Sequence, residues 1–355
     1  MAEFGVYVHI PFCRNRCDYC AFATWTDRGH LVDAYVEAVV TDIRRAVADG
    51  MPVADTVFFG GGTPTLIDPT LIARIIEAIP LSMDPEITVE CNPDDVTRNL
   101  MGTYVAAGVN RVSIGVQSMV THVLSALGRH HDQSNVEIAV ECARSAGIEC
   151  INLDLIYGSV GESLDDWSTT VSAALALRPT HVSAYGLTVE AGTPLADDPA
   201  RHPDDDEQAD KYIAADDLLT GAGLVNYEIS NWALPGHECR HNMVYWDQGN
   251  YRGFGCAAHS HDSGHRWWNV RTPDRYIDLV AAGEPVMAAD EHLEPSVREF
   301  ERLELSLRTR RGVPASTLDT ESGVLDGLVE VTDGRAVLTR NGRLLANEIS
   351  TRLNP

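Results

Sequence analysis

Three cysteines stand within eight residues near the start of the chain, in the run Cys13-Arg14-Asn15-Arg16-Cys17-Asp18-Tyr19-Cys20. The spacing, Cys-x3-Cys-x2-Cys, lets one short loop reach three corners of an iron–sulfur cube. A four-iron cluster normally takes four thiolates, one per iron. Three thiolates leave one iron open to a ligand that chelates through an amino and a carboxylate group. Zinc is the other use of such a set, with His9 as fourth ligand. Structural zinc sites, however, usually pair Cys-x2-Cys knuckles, and no second knuckle follows. Phe12 and Tyr19 flank the thiols as aromatic groups able to shield a cluster and stack on a flat ring such as adenine.

Such a loop needs a frame. Apolar strand patterns recur at Val6–Ile10, Thr56–Phe59, Ile87–Glu90, Val112–Gly115, Ile151–Ile156 and His181–Tyr185. Between them, helical patterns run over Leu31–Ala48, Pro69–Ile79, Asn99–Ala107, Asn135–Ala146 and Leu164–Leu177. Alternating β and α elements predict a parallel sheet with helices outside. Six units predict an α/β fold with a partial (β/α)6 barrel, not a complete eight-stranded one. In β/α barrels, ligands meet the protein where strands end. Tyr7 and His9 sit in the first strand, beside the cysteines. Gly60-Gly61-Gly62-Thr63-Pro64 follows the second, where residues without Cβ admit close backbone approach. Glu90 ends the third, Gln117 follows the fourth, Asp154 lies in the fifth, and Arg129 lies in the crossover between those two.

Composition narrows the function classes. The chain has 355 residues, a formal net charge of −25 and a single lysine, Lys211. That charge repels phosphate backbones, so nucleic acid is not an expected partner. One lysine excludes most lysine chemistry, including a Walker-type phosphate site. No apolar run is long enough to cross a membrane as a helix, and the first residues read as a strand and not as a signal peptide. Eight cysteines without a secretion signal predict a cytoplasmic protein with metal or redox chemistry, not a disulfide framework. The barrel is expected over residues 1–222. Within it, the Asp- and Pro-rich stretch Asp197–Asp210 reads as a solvated connector. A region rich in aromatics, His and Gly follows over 223–289, and a small C-terminal α+β module, with a helix at Ser296–Thr309, over 290–355.

The middle region holds a second constellation, His241-Asn242-Met243-Val244-Tyr245-Trp246. Histidine is a heme-iron ligand, and Tyr and Trp offer flat faces with polar edges. His241 and Tyr245 share a face if the stretch is helical. His237, Cys239, His259 and His261 are alternative ligands nearby.

With these motifs in hand, the chain resembles the oxygen-independent coproporphyrinogen oxidase-like family of radical S-adenosylmethionine (SAM) proteins over nearly its whole length. The resemblance rests on Tyr7-Val8-His9-Ile10-Pro11-Phe12-Cys13, Gly60-Gly61-Gly62-Thr63-Pro64-Thr65, Val89-Glu90-Cys91-Asn92-Pro93, Gly115-Val116-Gln117-Ser118 and Asp154-Leu155-Ile156-Tyr157-Gly158. It implies a radical SAM barrel with a [4Fe-4S] cluster on Cys13, Cys17 and Cys20. It also implies SAM contacts from Tyr7, Gly62, Thr63, Glu90, Gln117, Arg129 and Asp154; Tyr19 is added to this SAM set from its own place in the cysteine loop, as a ring able to stack on adenine.

Within the family, two features favour its heme chaperone branch. The oxidases carry a further cysteine two residues after the third, where Phe22 stands here, and the chaperones carry the His-Asn-x-x-Tyr-Trp motif. The resemblance therefore implies heme held by His241, Asn242, Tyr245 and Trp246, and delivery to recipient hemoproteins. It further implies dimerisation and contact with membrane respiratory enzymes at the membrane periphery. The alternative it implies is oxidative decarboxylation of coproporphyrinogen III. Ala21, Ser159-Val160 and Cys256-Ala257 depart from the family pattern, and none is a cluster ligand.

Overall fold

The computed structural model describes residues 3–129, 131–319 and 323–354. Six parallel strands form its centre in sequential order: β1 (Gly5–Ile10), β2 (Ala54–Gly61), β3 (Leu81–Cys91), β4 (Arg111–Gln117), β5 (Cys150–Tyr157) and β6 (His181–Gly186). The crossovers are α1 (Val32–Ala48), α2 (Pro69–Ala78), α3 (Arg98–Ala106), the pair α4 (Thr121–Ala126) and α5 (Gln133–Ser145), and α6 (Leu164–Ala176). Every expected strand and helix of this half is present. Polar side chains fix where the helices begin: Asp68 and Thr97 cap α2 and α3, and capping boxes at Asp132/Asn135 and Ser163/Asp166 open α5 and α6.

Side chains alternate across each strand, and the two faces of the central strands have opposite chemistry. Val6, Val8, Val57, Phe59, Val89, Ile114, Leu153 and Val182 are fully buried in the main apolar cluster with the helices. Thr88, Glu90, Arg111, Ser113, Asn152, Asp154, His181 and Ser183 line a cavity on the other face. The barrel interior is thus polar.

The rest of the chain extends this sheet at both ends. After α7 (Asp205–Gly221), β7 (Val225–Glu228) and β8 (Asn231–Ala233) add antiparallel strands beyond β6. After α8 (Arg240–Trp246), β9 (Tyr251–Phe254) pairs parallel with β1. Beyond it lie β10 (His259–Asp262) and β11 (His265–Asn269). Past α9 (Pro273–Ala282), β12 (Met287–His292) completes a sheet of twelve strands.

The remaining elements are α10 (Pro295–Leu307), β13 (Val313–Pro314), β14 (Val329–Thr332), β15 (Arg335–Leu338), α11 (Arg340–Leu344) and α12 (Ala346–Ser350). Leu303, Leu307, Val313, Ala336 and Ile349 give this part an apolar cluster of its own. It meets the barrel sheet through a bridge between Thr309 and Glu228. Among the described residues no helix is long and apolar enough to cross a membrane.

Candidate functional site

The cysteine loop springs from the end of β1. The Trp25 amide donates to the Pro11 carbonyl at 2.8 Å, and the Cys13 amide donates to the Trp25 carbonyl at 3.1 Å, closing the loop's base. All three thiols are free and partly exposed. The Thr63 hydroxyl lies 3.6 Å from Cys13 Sγ. Arg129 Nη1 lies 3.8 Å from Cys17 Sγ, while its Nη2 donates to the Gly115 carbonyl at 2.9 Å. Burial raises the Cys13 and Cys20 thiols, and neighbouring thiols of the loop raise them further. Gln117 ends β4 with φ 63°, and its amide nitrogen would lie 3.0 Å from a Cβ at Gly115. Gly115 thus gives the room in which Gln117 and Arg129 meet beside the loop.

The zinc reading fails on geometry. His9 has no free nitrogen: Nδ1 lies 3.0 Å from the Tyr7 hydroxyl and Nε2 lies 2.9 Å from the Ala23 carbonyl. Nε2 therefore carries the proton and Nδ1 accepts from Tyr7. Nor do the three sulfurs lie within 4.8 Å of one another; the one such set of three among the described residues is elsewhere. Zn–S bonds of 2.3 Å put tetrahedral sulfurs about 3.8 Å apart. Phe12 turns into the core. It is buried edge-on to Tyr35 with ring centroids 5.4 Å apart. Tyr19 packs with Leu127, Leu187 and Leu195 on the barrel rim.

The glycine run sits under the loop. A Cβ at Gly61 would meet the His9 ring at 2.3 Å, and one at Gly62 would meet the Ile10 and Phe12 carbonyl oxygens at 2.7 Å. The Gly61 amide donates to Glu90 Oε2 at 3.1 Å, so the run also orients the carboxylate.

Below the loop lies a cavity of about 260 Å³. Tyr7, Glu90 and Asp154 line it together with His241, Asn242 and Tyr245, so residues of both motifs face one space. Phe22, 64% exposed, stands at its edge. Trp246 ends α8 partly exposed and outside the cavity lining. His241 is buried: Nδ1 lies 2.8 Å from Thr56 Oγ1 and Nε2 lies 2.8 Å from the Tyr245 hydroxyl. Its ring stacks on Phe58 at 5.3 Å, and burial lowers its pKa to about 3. Of the alternative ligands, His261 is buried with both nitrogens bonded, Cys239 is buried against Glu86, and His237 Nδ1 lies 3.3 Å from Cys150 Sγ. His259 is exposed and stacks on Trp268 at 5.7 Å.

The cavity floor holds a network that the sequence reading missed. Asp154 accepts from Ser113 at 2.7 Å and from Asn152 at 2.8 Å. Asn152 in turn meets Ser183 at 2.9 Å and His181 at 2.6 Å. The available signal was polar residues two apart on successive strands: Arg111/Ser113, Asn152/Asp154 and His181/Ser183.

The electrostatics of the cavity ask for a cation. Burial raises both carboxyls; Glu90 reaches about 8, with the Asp154 charge as second cause and the Gly61 hydrogen bond opposing. Asp154 is eased by its three hydrogen-bonding neighbours and by Arg111, but among the described residues no cation acts on Glu90. The Thr88 hydroxyl, also lining the cavity, has no partner among the described residues. A ligand with an ammonium or sulfonium group and polar edges would satisfy all three.

Glu90 keeps a proton that the unfolded chain releases above its ordinary 4.5. Its effect is therefore absent below that value, and it destabilises the fold increasingly as pH rises toward 8. Glu90→Gln is expected to stabilise the protein alone by about 1–2 kcal/mol near pH 8, a figure discounted for solvent in the cavity, and by almost nothing near pH 5. Urea melts at the two pH values check this; equal gains at both would refute it.

A parallel six-unit barrel with a three-thiol loop after its first strand is the design of a radical SAM protein, and the Radical SAM superfamily model matches residues 7–174. The chain belongs to the HemW family. It is 39% identical to the heme chaperone HemW of Mycobacterium tuberculosis over 98% of this chain and 93% of that protein. It is 34% identical to the heme chaperone HemW of Bacillus subtilis, covering 97% of each. The solved structure of coproporphyrinogen III oxidase (HemN) from Escherichia coli shares the fold, with a TM-score of 0.84 over 98% of this chain and 89% of that one at 22% identity.

Proposed function

We propose that this chain binds heme and passes it to recipient hemoproteins, with a [4Fe-4S] cluster on Cys13, Cys17 and Cys20 and SAM in the adjoining cavity. The observation that carries the reading is the match to heme chaperones named HemW across 98% of the chain. The donor set suits the group: three free thiols on one loop, spread more widely than zinc requires. When bound, the cluster would offer an open iron to the amino-acid end of SAM and an electron to its sulfonium. The chain's own residues do the rest. Glu90 and Asp154 supply negative charge to a cationic ligand, Gly62 and Thr63 let it approach the backbone, and Gln117 and Arg129 flank it beside Cys17. Tyr7, held by His9, closes the cavity wall.

Heme would be taken where α8 faces the cavity, with Asn242 and Tyr245 beside it and its iron on His241, while Trp246 lies outside that lining. Nε2 reaches iron by giving up the Tyr245 hydroxyl. Heme titration of the cluster-loaded protein tests this. His241→Ala is expected to weaken binding at least about tenfold, a loss of about 1.4 kcal/mol or more. His259→Ala should leave it unchanged, and Tyr245→Phe, which frees Nε2, should tighten it. Retained affinity in His241→Ala with loss in His259→Ala would move the ligand to His259. The chaperone reading itself falls if the protein, given SAM and reductant without oxygen, turns coproporphyrinogen III into protoporphyrinogen catalytically.

A further inference from the structure

We propose that His265, Asp290 and His292 form a second metal site, for a divalent first-row transition ion of the zinc type, on the outer edge of the sheet. It lies apart from the cysteine loop, and none of the three residues lines the barrel cavity.

The site follows from strand register. β11 and β12 are antiparallel, and His265 stands directly opposite His292. Their rings stack almost face to face, with centroids 4.1 Å apart and planes 10° apart. Asp290, two residues before His292, lies on the same face of the ladder. His265 Nε2 is 3.0 Å from Asp290 Oδ2, and His292 Nε2 is 3.8 Å from that same oxygen. Donor atoms of all three side chains lie within 4.8 Å of one another.

Hydrogen bonding alone explains only part of this. His265 makes a hydrogen bond to Asp290, whereas His292 stops short of one. A neutral imidazole binds metal through Nδ1 or Nε2, and each of the two histidines offers one such nitrogen toward Asp290. Two imidazoles and a carboxylate suit zinc, copper, nickel or iron better than the harder magnesium or calcium. Zn–N bonds near 2.0–2.1 Å would bring the donors to about 3.4 Å apart. That closure requires the two rings to turn out of their face-to-face stack so that both in-plane lone pairs meet at one point, which the exposure of Asp290 and His292 leaves room for. Trp267 stacks on His265 at 4.9 Å and limits its ring on one side.

The ion would act as a clip. All six residues of β12 are exposed, and the strand is the last of its sheet. It is held by its ladder with β11, by Arg266–Glu291 at 2.8 Å on the opposite face, and by the Leu293 amide donating to the Gly264 carbonyl at 2.8 Å. A metal would pin β12 to β11 just before α10 begins.

The test uses the full chain with its cluster assembled, titrated anaerobically with Zn(II) against a chromophoric chelator. Wild type should bind one equivalent with the cluster's visible absorption unchanged, and amide exchange in Met287–His292 should slow. Asp290→Asn and His292→Ala should each weaken binding at least about tenfold and abolish that slowing. The proposal is overturned by unchanged zinc affinity in both variants, by zinc uptake only as cluster absorption is lost, or by no slowing of β12 exchange in wild type.

Discussion

Cys17→Ala, reconstituted anaerobically with iron and sulfide, is expected to hold no four-iron cluster: iron falls from about four per chain to near zero, and the broad visible absorption disappears. The loop offers three thiols, and no other cysteine can take the vacated corner. Cys91, Cys142, Cys239 and Cys256 are buried, and Cys150 opens β5 beside His237, at the opposite end of the strand from its cavity mouth. Cys17 is also the thiol that Arg129 faces. Because it lies in a partly exposed loop, the change should leave the melting curve of the cluster-free protein within about 0.5 kcal/mol of wild type. Iron and labile-sulfide analysis with a urea melt read both effects. A cluster of unaltered yield in the variant would mean that these three thiols are not its ligands.

Gly62→Ala should damage the fold at the site. The added Cβ would sit 2.7 Å from two backbone oxygens, of Ile10 and Phe12, which cannot swing away as a side-chain tip can. Those carbonyls also accept from the Gly62 and Thr63 amides at 2.8 Å, so displacement loosens both bonds that dock the glycine run under the cysteine loop. A loss of about 2–4 kcal/mol is expected, with poor cluster assembly as its consequence. Gly102→Ala is the control. It lies within α3 with nothing inside 4 Å of its Cβ position, and should stabilise by about 0.5–1 kcal/mol through helix propensity. Denaturant melts of the two proteins decide. Equal stability for Gly62→Ala would show that the loop's seat is softer than the structure indicates.

The half of the chain that carries the thiols was the readable half. Its strands are apolar runs bounded by Gly, Pro and Asn, its helices have caps, and each element's partner is the next one along. Periodicity therefore carried the order of the six-stranded core as well as its elements. The later strands gave no such signal. β12 reads Met-Ala-Ala-Asp-Glu-His with every residue exposed, and β11 is His-Arg-Trp-Trp-Asn. Neither alternates cleanly, because neither separates a core from solvent.

The site divides in the same way. Cysteines, glycines and strand-end carboxylates announce themselves by type and spacing. The convergence of α8 on the barrel cavity depends on a crossing of distant elements, and the pairing of His265 with His292 depends on a register that no local pattern encodes. Phe12 shows a related limit: adjacency to a cysteine in sequence does not say that its ring is buried against Tyr35.

The pairing of β1 with β9 has a consequence for how the protein comes into being. Val8 and its neighbour Phe254 are separated by most of the chain, so the strand that launches the thiol loop lacks its outer neighbour until late in synthesis. Contacts of such long span close slowly. In the interval β1 presents one bare edge, a template for intermolecular pairing. A nascent or truncated chain ending before Tyr251 would expose that edge permanently, and would aggregate before it could mature.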